Sequence, residues 1–578
     1  MSVPSSQAGL RSRITSLLPT RADLDQMRRH PRRNLLAGLT VAVVALPLAL
    51  GFGVSSGLGA EAGLATAVVA GALAAVFGGS NLQVSGPTGA MTVVLVPIVA
   101  DHGPGGVLTV GLMAGVILVG LALLRAGGSM RYVPAPVVEG FTLGIACVIG
   151  LQQIPNALGV PAPDGERVLV VAWQAGREFV RAPNWTALAL ALSVAAVMLL
   201  GARWKPTVPF SVLAVIAATV VAQAAGLDGA RPIGDLPPGL PAPSFSFVDT
   251  AALGSLLAPA LAVAALAALE SLLSASVADG MTVGGRHDPD RELFGQGLAN
   301  IAAPLFGGVP ATGAIARTAV NVRTGATSRL ASLTHAAVLA VIVFAAAPLV
   351  SRIPLAALAG VLLATAVRMV EVGSLRAMTR ATRSDALILV LTAAATLVLD
   401  LVQAVVIGLA VAAVLALGAV ARQARLAPLP LDRGDHTEEE HALLAEHIVA
   451  YRIDGPLFFA AAHRFLLELT ELADVRVVVL RMSHVSVVDA TGALVLKDAV
   501  EKLRRRGILV LASGIRPEHH RPLASVGALE LLRHEGGEYA TTPEAIAAAR
   551  ARLEHDGFLR GTAAPRATAV PAPTREAP

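Results

Sequence analysis

Long apolar runs follow one another from about residue 34 to residue 421, and short polar or glycine-rich connections separate them. A helix of roughly 20 apolar residues crosses the hydrocarbon core of a bilayer. The pattern predicts fourteen membrane spans, which places both chain ends on one side; twelve or thirteen crossings is the alternative count. The predicted spans are approximately 34–54, 59–78, 86–100, 105–125, 136–157, 184–201, 207–226, 250–279, 292–306, a span beginning at 310, 329–350, 354–371, 384–400 and 402–421.

Two of these runs are interrupted by the same motif. The segments 85–92 and 307–318 each contain a proline that precedes Thr-Gly-Ala, at Thr88 and at Thr312. Pro310 suits the first turn of a helix, so the tenth span is predicted to begin there. A helix that begins inside a membrane presents free N–H groups and the positive end of its dipole, which favours an anion. Matching interruptions in two halves indicate a transporter's binding site; the alternative is two tight turns that use glycine for packing.

The pattern changes at about Pro428. Short β-branched runs at Ile448–Ile453, Val475–Leu480 and Ile508–Ala512 predict strands, and helical patterns lie at about 461–472, 492–506 and 543–554. This alternation predicts a small α/β domain. The domain has no glycine-rich phosphate loop, metal-binding motif or paired nucleophile and base, so it is predicted to be regulatory or structural and the chain is not expected to be an enzyme.

These patterns divide the chain into five parts. They are a basic N-terminal arm (1–33), a membrane domain (34–421), a linker (422–444), the α/β domain (445–557) and a disordered tail rich in Ala, Pro and Thr (558–578).

Composition and charge support a membrane protein with cytoplasmic ends. The chain is 54% hydrophobic and 15% charged, with a net charge of +5 and one cysteine, Cys147. The arginines concentrate in the arm and in the short loops on its side, as expected for cytoplasmic segments of a multi-pass inner-membrane protein. The positive charge is therefore explained by topology, and no nucleic-acid partner is expected. No metal or cofactor is expected either.

Ionisable side chains inside apolar runs mark candidate function. Glu270 lies in the middle of the eighth span, and Ser274 lies one turn later on the same face. A buried carboxyl group favours its protonated form, so Glu270 is a candidate to carry H⁺ or to bind Na⁺. Arg317 lies near the broken tenth span, where it either strengthens the positive field or neutralises Glu270. The alternative for Glu270 is a structural role, paired with Arg317 or capping a broken helix.

Several segments together resemble the SulP family of anion transporters, and they occur in that family's order. They are Val44-Ala-Leu-Pro-Leu-Ala-Leu-Gly-Phe52, Val84-Ser-Gly-Pro-Thr-Gly-Ala90, Val138-Glu-Gly-Phe-Thr-Leu-Gly144, the segment 268–280 around Glu270, the tenth-span segment through Asn321, and Asp400-Leu-Val-Gln-Ala-Val405.

This resemblance implies a polytopic α-helical fold of two inverted seven-span repeats, with a core domain that moves against a gate domain. It also implies an anion held between the starts of the third and tenth spans. A homodimer is a further expectation that the resemblance implies. Carried over position by position, the anion site comprises Phe52, Thr88, Gly89, Thr312, Gly313 and Ala314, and Glu270 is the coupling position for H⁺ or Na⁺.

The C-terminal domain is similar to a STAS domain, the module that usually follows such membrane domains. Asp489-Ala-Thr-Gly492 resembles a turn at which stand-alone relatives are phosphorylated, which here implies Thr491. The alternative is that this turn only caps the helix that follows.

The sequence departs from sulphate-type members at two positions of the first span. Leu48 and Phe52 stand where those members tend to have Gln and Tyr, so a bicarbonate or C4-dicarboxylate substrate fits at least as well as sulphate. Glu rather than Asp at 270 favours protons over sodium. The alternatives are a nucleobase–cation symporter of the same fold and a membrane-tethered regulatory scaffold that acts through the STAS domain.

Overall fold

The computed structural model describes residues 13–163, 167–205, 208–227, 229–282, 286–399, 401–423, 425–429, 447–458, 475–534 and 537–558. The chain forms two compact units, Met1–Ala412 and Ala413–Pro578. The first unit contains most of the helices that the hydrophobic pattern predicts. The predicted tail and most of the predicted linker lie outside the described residues, so those two domain assignments stay predictions.

Among the described residues, the regular structure of the first half of the membrane region consists of helices, one two-residue strand and a 3₁₀ segment, Ala126–Tyr132. Its elements are α1 (Arg21–Arg29), α2 (Pro31–Ser55), α3 (Ala60–Phe77), β1 (Ser85–Gly86), α4 (Gly89–Leu123), α5 (Ala135–Gln152), α6 (Ile154–Leu158), α7 (Val168–Arg181), α8 (Trp185–Trp204) and α9 (Phe210–Ala224).

From α2 onwards the second half repeats this order, except that two helices replace α4 and α6 has no counterpart. Its elements are α10 (Leu253–Gly280), α11 (Pro289–Leu305), β2 (Thr312–Gly313), α12 (Ile315–Arg323), α13 (Leu330–Val350), α14 (Leu355–Met369), α15 (Val372–Ala381), α16 (Arg383–Val398) and α17 (Leu401–Gln423).

Each of the fourteen predicted spans has a helical counterpart in these elements. Nine helices among the described residues are long and apolar enough to cross a membrane. One of them, α4, corresponds to two predicted spans, because it is broken at Gly103, which has non-helical dihedrals (φ 66°) and is followed by Pro104. The seventh, ninth, tenth and thirteenth spans are the shorter helices α9, α11, α12 and α16. The fold therefore consists of two inverted seven-span repeats.

The membrane helices pack in two groups. In one group, the core, α4 packs on α10 and α11, while α2 and α3 pack on α13. In the other group, the gate, α5 packs on α14 and α16, and α8 packs on α9 and α14. The two groups meet where α2 contacts α14 and where α4 contacts α5. The separation into two helix groups is what the core and gate arrangement requires.

The second unit contains the predicted α/β domain. Its sheet has the strand order β3 (Arg425–Leu429), β4 (Ile448–Leu457), β5 (Val477–Arg481), β7 (Leu509–Ser513) and β8 (Glu538–Tyr539), with β6 (Val485–Val488) paired to β4. All pairs are parallel except β3 with β4. Its helices are α18 (Ala490–Arg505), α19 (Pro517–Ser525), α20 (Ala528–Arg533) and α21 (Thr542–His555).

The three predicted strands correspond to β4, β5 and β7, and two of the predicted helices correspond to α18 and α21. The predicted helix at 461–472 lies outside the described residues. At the start of α18 the Asp489 carboxylate accepts a hydrogen bond from the Gly492 N–H (2.7 Å), and Thr491 is exposed in the first turn. The cap is present, and phosphorylation of Thr491 stays a prediction.

The described part of the basic arm packs on the core helices through α1. Thr20 and Asp23 form a capping box that starts the helix. Asp23 also accepts a hydrogen bond from Arg291 (2.8 Å) and lies 3.3 Å from the Arg329 guanidinium. Gln26 donates a hydrogen bond to the Thr327 carbonyl (3.0 Å). The arm is thus fastened to the first turns of α11 and α13.

Replacing Asp23 by asparagine is expected to lower stability at neutral pH. Burial alone would raise the pKa of Asp23, but hydrogen bonds from Arg291 and the Thr20 backbone and the charge of Arg329 outweigh it and lower the pKa to about 2. Because the folded pKa lies below the unfolded value, this stabilisation is present above about pH 4 and is lost as the pH falls towards 2. We expect a loss of about 2 kcal/mol at pH 7, measured by thermal unfolding in detergent.

The matched control is Asp25→Asn, two residues along the same helix. Asp25 is exposed, so the same change of charge should cost little. Equal unfolding temperatures for the two variants at pH 7 would contradict the stabilising role of Asp23, and the wild type and the Asp23 variant should converge at acidic pH.

Candidate functional site

The two Thr-Gly-Ala interruptions meet in the middle of the core. Strands β1 and β2 pair antiparallel, with Ser85 opposite Gly313 and Gly86 opposite Thr312. Helix α4 begins at Gly89 and helix α12 at Ile315, directly after these strands. The pairing uses backbone groups of Thr312 and Gly313, and for this reason α12 begins later than the predicted start at Pro310. Both helix starts are brought to one place.

Two glycines allow this close approach. A Cβ atom at Gly313 would overlap the Gln83 side chain and would lie 3.0 Å from the Ser271 Cα. One at Gly89 would overlap Ile149 and would lie 3.1 Å from the Phe52 ring. Phe52 itself is buried in α2, so its ring lies beside the start of α4. A side chain at Gly313 would have to displace Gln83, and one at Gly89 would have to displace Ile149, so glycine suits the packing at both breaks.

The Glu270 carboxyl group joins the two breaks. Its Oε2 atom accepts hydrogen bonds from the hydroxyls of Thr88 (2.9 Å) and Thr312 (2.6 Å), and those two hydroxyl oxygens are 3.2 Å apart. In the described residues, Oε1 has no hydrogen-bond partner. Glu270 as a whole residue is partly buried in α10.

Two of the predicted anion ligands already use their backbone amides. The Gly313 N–H donates to the Ser271 hydroxyl (2.9 Å), and the Ala314 N–H donates to the Val84 carbonyl (2.8 Å). The amides that remain for a ligand are those of the first helical turns, at 89–90 in α4 and 315–316 in α12, which have no intrahelical acceptor. In α12 the free amides thus lie one or two residues further along the chain than the Thr-Gly-Ala motif suggests, whereas in α4 they belong to Gly89 and Ala90 of the motif itself.

Ser274 and Arg317 have partners other than the Glu270 carboxyl group. The Ser274 hydroxyl donates to Thr318 (3.0 Å), which also accepts the Val84 N–H (3.0 Å), so Ser274 is not brought to the Glu270 carboxyl group. Arg317 is buried, and one of its guanidinium nitrogens donates to the Pro87 carbonyl (2.6 Å). No ion pair within 4.0 Å joins it to Glu270 in the part of the chain that is described. Arg317 instead links α12 to the segment that begins α4.

Side chains that the sequence analysis did not select hold the two breaks in place. Asn300 in α11 bonds both the N–H and the carbonyl of Ala311, at 2.8 and 2.9 Å. Glu292 in α11 accepts four hydrogen bonds, from the Gly79 and Ser80 amides and from two glutamine side chains. Glu292 falls at a predicted span end, where a charge is common, so the pattern alone gave no reason to select it.

The described residues contain no group of three or more His, Cys, Asp and Glu side chains that could hold a metal ion. A sodium ion at Glu270 would have Oε2 and the hydroxyl oxygens of Thr88 and Thr312 as side-chain ligands, which is fewer than the six or so oxygens that hard cations of this size usually take.

Comparison with known families gives two matches. Residues 32–392 match the model of the sulfate permease family, and residues 442–544 match the STAS domain model. The first match covers most of the membrane helices and the whole of the site described above.

Individual relatives agree with these matches. The chain is 35% identical to the putative sulfate transporter YvdB of Bacillus subtilis, over 86% of this chain and 94% of the relative. It is 32% identical to the bicarbonate transporter BicA of Picosynechococcus, over 82% of this chain and 87% of the relative. The structure of the murine Slc26a9 anion transporter superimposes with a TM-score of 0.82 at 16% identity, over 95% of this chain and 96% of that one, and so supports the fold.

Proposed function

The chain belongs to the sulfate permease family of anion transporters, and we propose that it uses a proton gradient to carry a small oxyanion across the cytoplasmic membrane. The anion binds between the starts of α4 and α12, and Glu270 carries the proton. The observation that supports this most strongly is the contact of one carboxyl group with Thr88 and Thr312, the residues that precede both helix starts.

The helix starts supply the anion site. The partial positive ends of α4 and α12 and their free first-turn amides favour a negative charge at this place. We propose that the Gly89 amide and the other free first-turn amides bind the anion. The Phe52 ring, the Gly313 and Ala314 backbone and the Thr88 and Thr312 side chains line the site without donating to the anion, because their donors are used within the protein. Arg317 holds α12 to Pro87 and adds positive charge behind the site.

Glu270 supplies the coupling. An ionised carboxylate so close to the anion site repels the substrate, whereas a protonated carboxyl group does not. Substrate binding and protonation of Glu270 therefore favour each other, and this favourable effect is reciprocal. The free Oε1 atom can take a proton while Oε2 keeps both threonine hydrogen bonds. Because Ser274 is bonded to Thr318, it adds no ligand for sodium, and the geometry supports H⁺ over Na⁺.

A site with an apolar wall suits a singly charged anion, and bicarbonate fits it best. Leu48 and Phe52 are buried in α2, and Phe52 gives the site a wall without a hydrogen-bonding group. The similarity to BicA favours bicarbonate, while the higher identity to YvdB keeps sulphate as the second candidate. A C4-dicarboxylate such as fumarate is the third anion to test.

We further propose an inner-membrane protein with both termini in the cytoplasm, working as a homodimer. The arginine-rich loops on the side of the arm support that orientation.

Uptake into proteoliposomes tests the substrate and the coupling ion together. Purified full-length protein is reconstituted, and radiolabelled bicarbonate, sulphate and fumarate are each offered with an imposed proton gradient, an imposed sodium gradient or neither. With the inward proton gradient only, we expect an initial rate of bicarbonate uptake above that of protein-free liposomes, into which bicarbonate also passes as CO2 after it is protonated outside. Gradients of equal size in the other cation and protein-free liposomes are the controls.

Other outcomes separate the alternatives. Accumulation of sulphate or fumarate would support the same mechanism with a different substrate. Accumulation driven by sodium would contradict proton coupling. Uptake of uracil or xanthine instead of any anion would support the nucleobase symporter. Folded protein that transports none of these would support the regulatory scaffold.

A further inference from the structure

The short helix α15 connects two membrane helices, α14 and α16. The chain leaves helical dihedrals at Val370 and Glu371, so α15 is a separate helix and not an extension of α14. In the first repeat the equivalent connection, between the fifth and sixth spans, contains α7. Both repeats therefore place a short helix at this point, and the two helices can be compared.

One face of α15 is fixed to the protein. Ser374, Leu375 and Met378 are partly buried, and the Ser374 hydroxyl donates a hydrogen bond to Glu139 in α5 (2.8 Å). On the other face, Val372, Arg376 and Arg380 follow one another at intervals of four residues and are exposed. That spacing places them in one stripe along the helix.

The exposed face carries unpaired positive charge. Arg376 and Arg380 are flanked by Arg368 at the end of α14 and Arg383 at the start of α16, and all four are exposed. In the described ranges none of the four guanidinium groups has an ion pair or a hydrogen bond. Glu371 and Asp385 lie in the same stretch, but neither of them pairs with these arginines.

Apolar side chains beside the arginines indicate that lipid covers this face. Val367 and Val372 are each 59% exposed, and Leu387 is 53% exposed. In a membrane protein, such side chains at the ends of spanning helices face hydrocarbon, and arginines next to them reach the level of the lipid headgroups. A guanidinium group binds a phosphate through two parallel hydrogen bonds.

We propose that the exposed stripe of α15, Arg376 and Arg380 with Arg368 and Arg383 beside it, binds the phosphate groups of anionic phospholipids. The contact fixes α15, and through Ser374 and Glu139 it fixes the end of α5, at the membrane surface. The gate helices are then held by lipid on this side while the core helices move.

Binding of phosphatidylglycerol to the purified full-length protein in detergent tests this proposal. Native mass spectrometry compares phosphatidylglycerol with phosphatidylcholine for the wild type and for R376Q/R380Q. We expect the wild type to prefer phosphatidylglycerol. The variant should bind it about thirtyfold more weakly, because it loses two arginine charges at the level of the lipid headgroups. The readout does not depend on transport, so it is separate from the proposed function.

The matched control is R177Q/R181Q, which removes two exposed arginines from α7 in the equivalent connection. It should keep the preference for phosphatidylglycerol. R376K/R380K should keep most of it, which separates loss of charge from loss of folding. Unchanged binding by R376Q/R380Q, or an equal loss in the α7 variant, would overturn the proposal.

Discussion

Glu270→Gln is expected to abolish accumulation of the anion against its gradient while leaving the anion site intact. The glutamine carbonyl oxygen can still accept hydrogen bonds from the Thr88 and Thr312 hydroxyls, which hold Oε2 in the wild type. The amide is neutral, as a protonated carboxyl group is, so the helix starts should bind the anion as before. The side chain can no longer release a proton, so binding and the proton gradient become independent.

The expected difference is large. A gradient of two pH units corresponds to about a hundredfold accumulation for one proton per anion. The variant should instead show no gradient-driven uptake above that of protein-free liposomes, with downhill exchange retained. The measurement is labelled uptake in proteoliposomes with and without the imposed proton gradient, together with counterflow exchange in its absence.

Glu61→Gln is the matched control for loss of a glutamate charge. Glu61 lies in the first turn of α3 and is partly exposed, away from the two breaks. It should accumulate substrate as the wild type does. If Glu270→Gln still concentrated the anion on a proton gradient, another group would have to carry the proton, and the proposed coupling would be wrong.

The membrane helices were predictable because their hydrophobic pattern is determined by the bilayer and does not depend on the details of packing. The interruptions at Thr88 and Thr312 were visible because the same Pro and Thr-Gly-Ala pattern breaks two apolar runs. What the pattern cannot give is which backbone groups pair when two interruptions meet. The β1–β2 pairing shifts the start of α12 from Pro310 to Ile315, and with it the free amides.

Side-chain partners were the least predictable part of the site. Ser274 was a reasonable companion of Glu270 because residues four apart share a helix face. In the structure the nearby Ser271 hydroxyl accepts a hydrogen bond from the Gly313 N–H, and the Ser274 hydroxyl donates one to Thr318. The choice depends on residues more than 40 positions away in the chain, which no local rule contains. Arg317 is similar, because its acceptor, the Pro87 carbonyl, belongs to the other repeat.

Glu292 holds the first of the two breaks, and replacing it is expected to have the largest effect on folding. The side chain is 1% exposed. Its Oε2 atom accepts the N–H groups of Gly79 (2.9 Å) and Ser80 (3.1 Å), and its Oε1 atom accepts the Nε2 groups of Gln83 (2.8 Å) and Gln296 (3.1 Å). A carboxylate satisfies these four donors because it only accepts hydrogen bonds.

The same two glutamines connect Glu292 to the strands. Gln296 also contacts the Ser85 hydroxyl in β1 (2.5 Å), and Gln83 packs against Gly313 in β2. Loss of the Glu292 contacts therefore affects both strands of the pair from which α4 and α12 begin.

In Glu292→Gln, the new amide nitrogen would face two donors, and these would lose their acceptor in a buried place. Breaking a buried charged network by removing one partner costs about 3–5 kcal/mol. We expect a strong loss of folded protein after extraction and, in the protein that does fold, a raised KM for the anion because the helix starts are displaced. Thermal unfolding in detergent and uptake kinetics measure the two effects.

Asp290→Asn, two residues earlier on α11, is the control. Asp290 is partly exposed and accepts one hydrogen bond from the Gly127 N–H (2.9 Å), which an asparagine oxygen can also accept, so we expect a cost below about 1 kcal/mol. Wild-type stability of Glu292→Gln would mean that water reaches the four donors and replaces the carboxylate. A stable variant with an unchanged KM would show that β1 and β2 keep their positions without Glu292, and the strand pairing alone would then have to place the two helix starts.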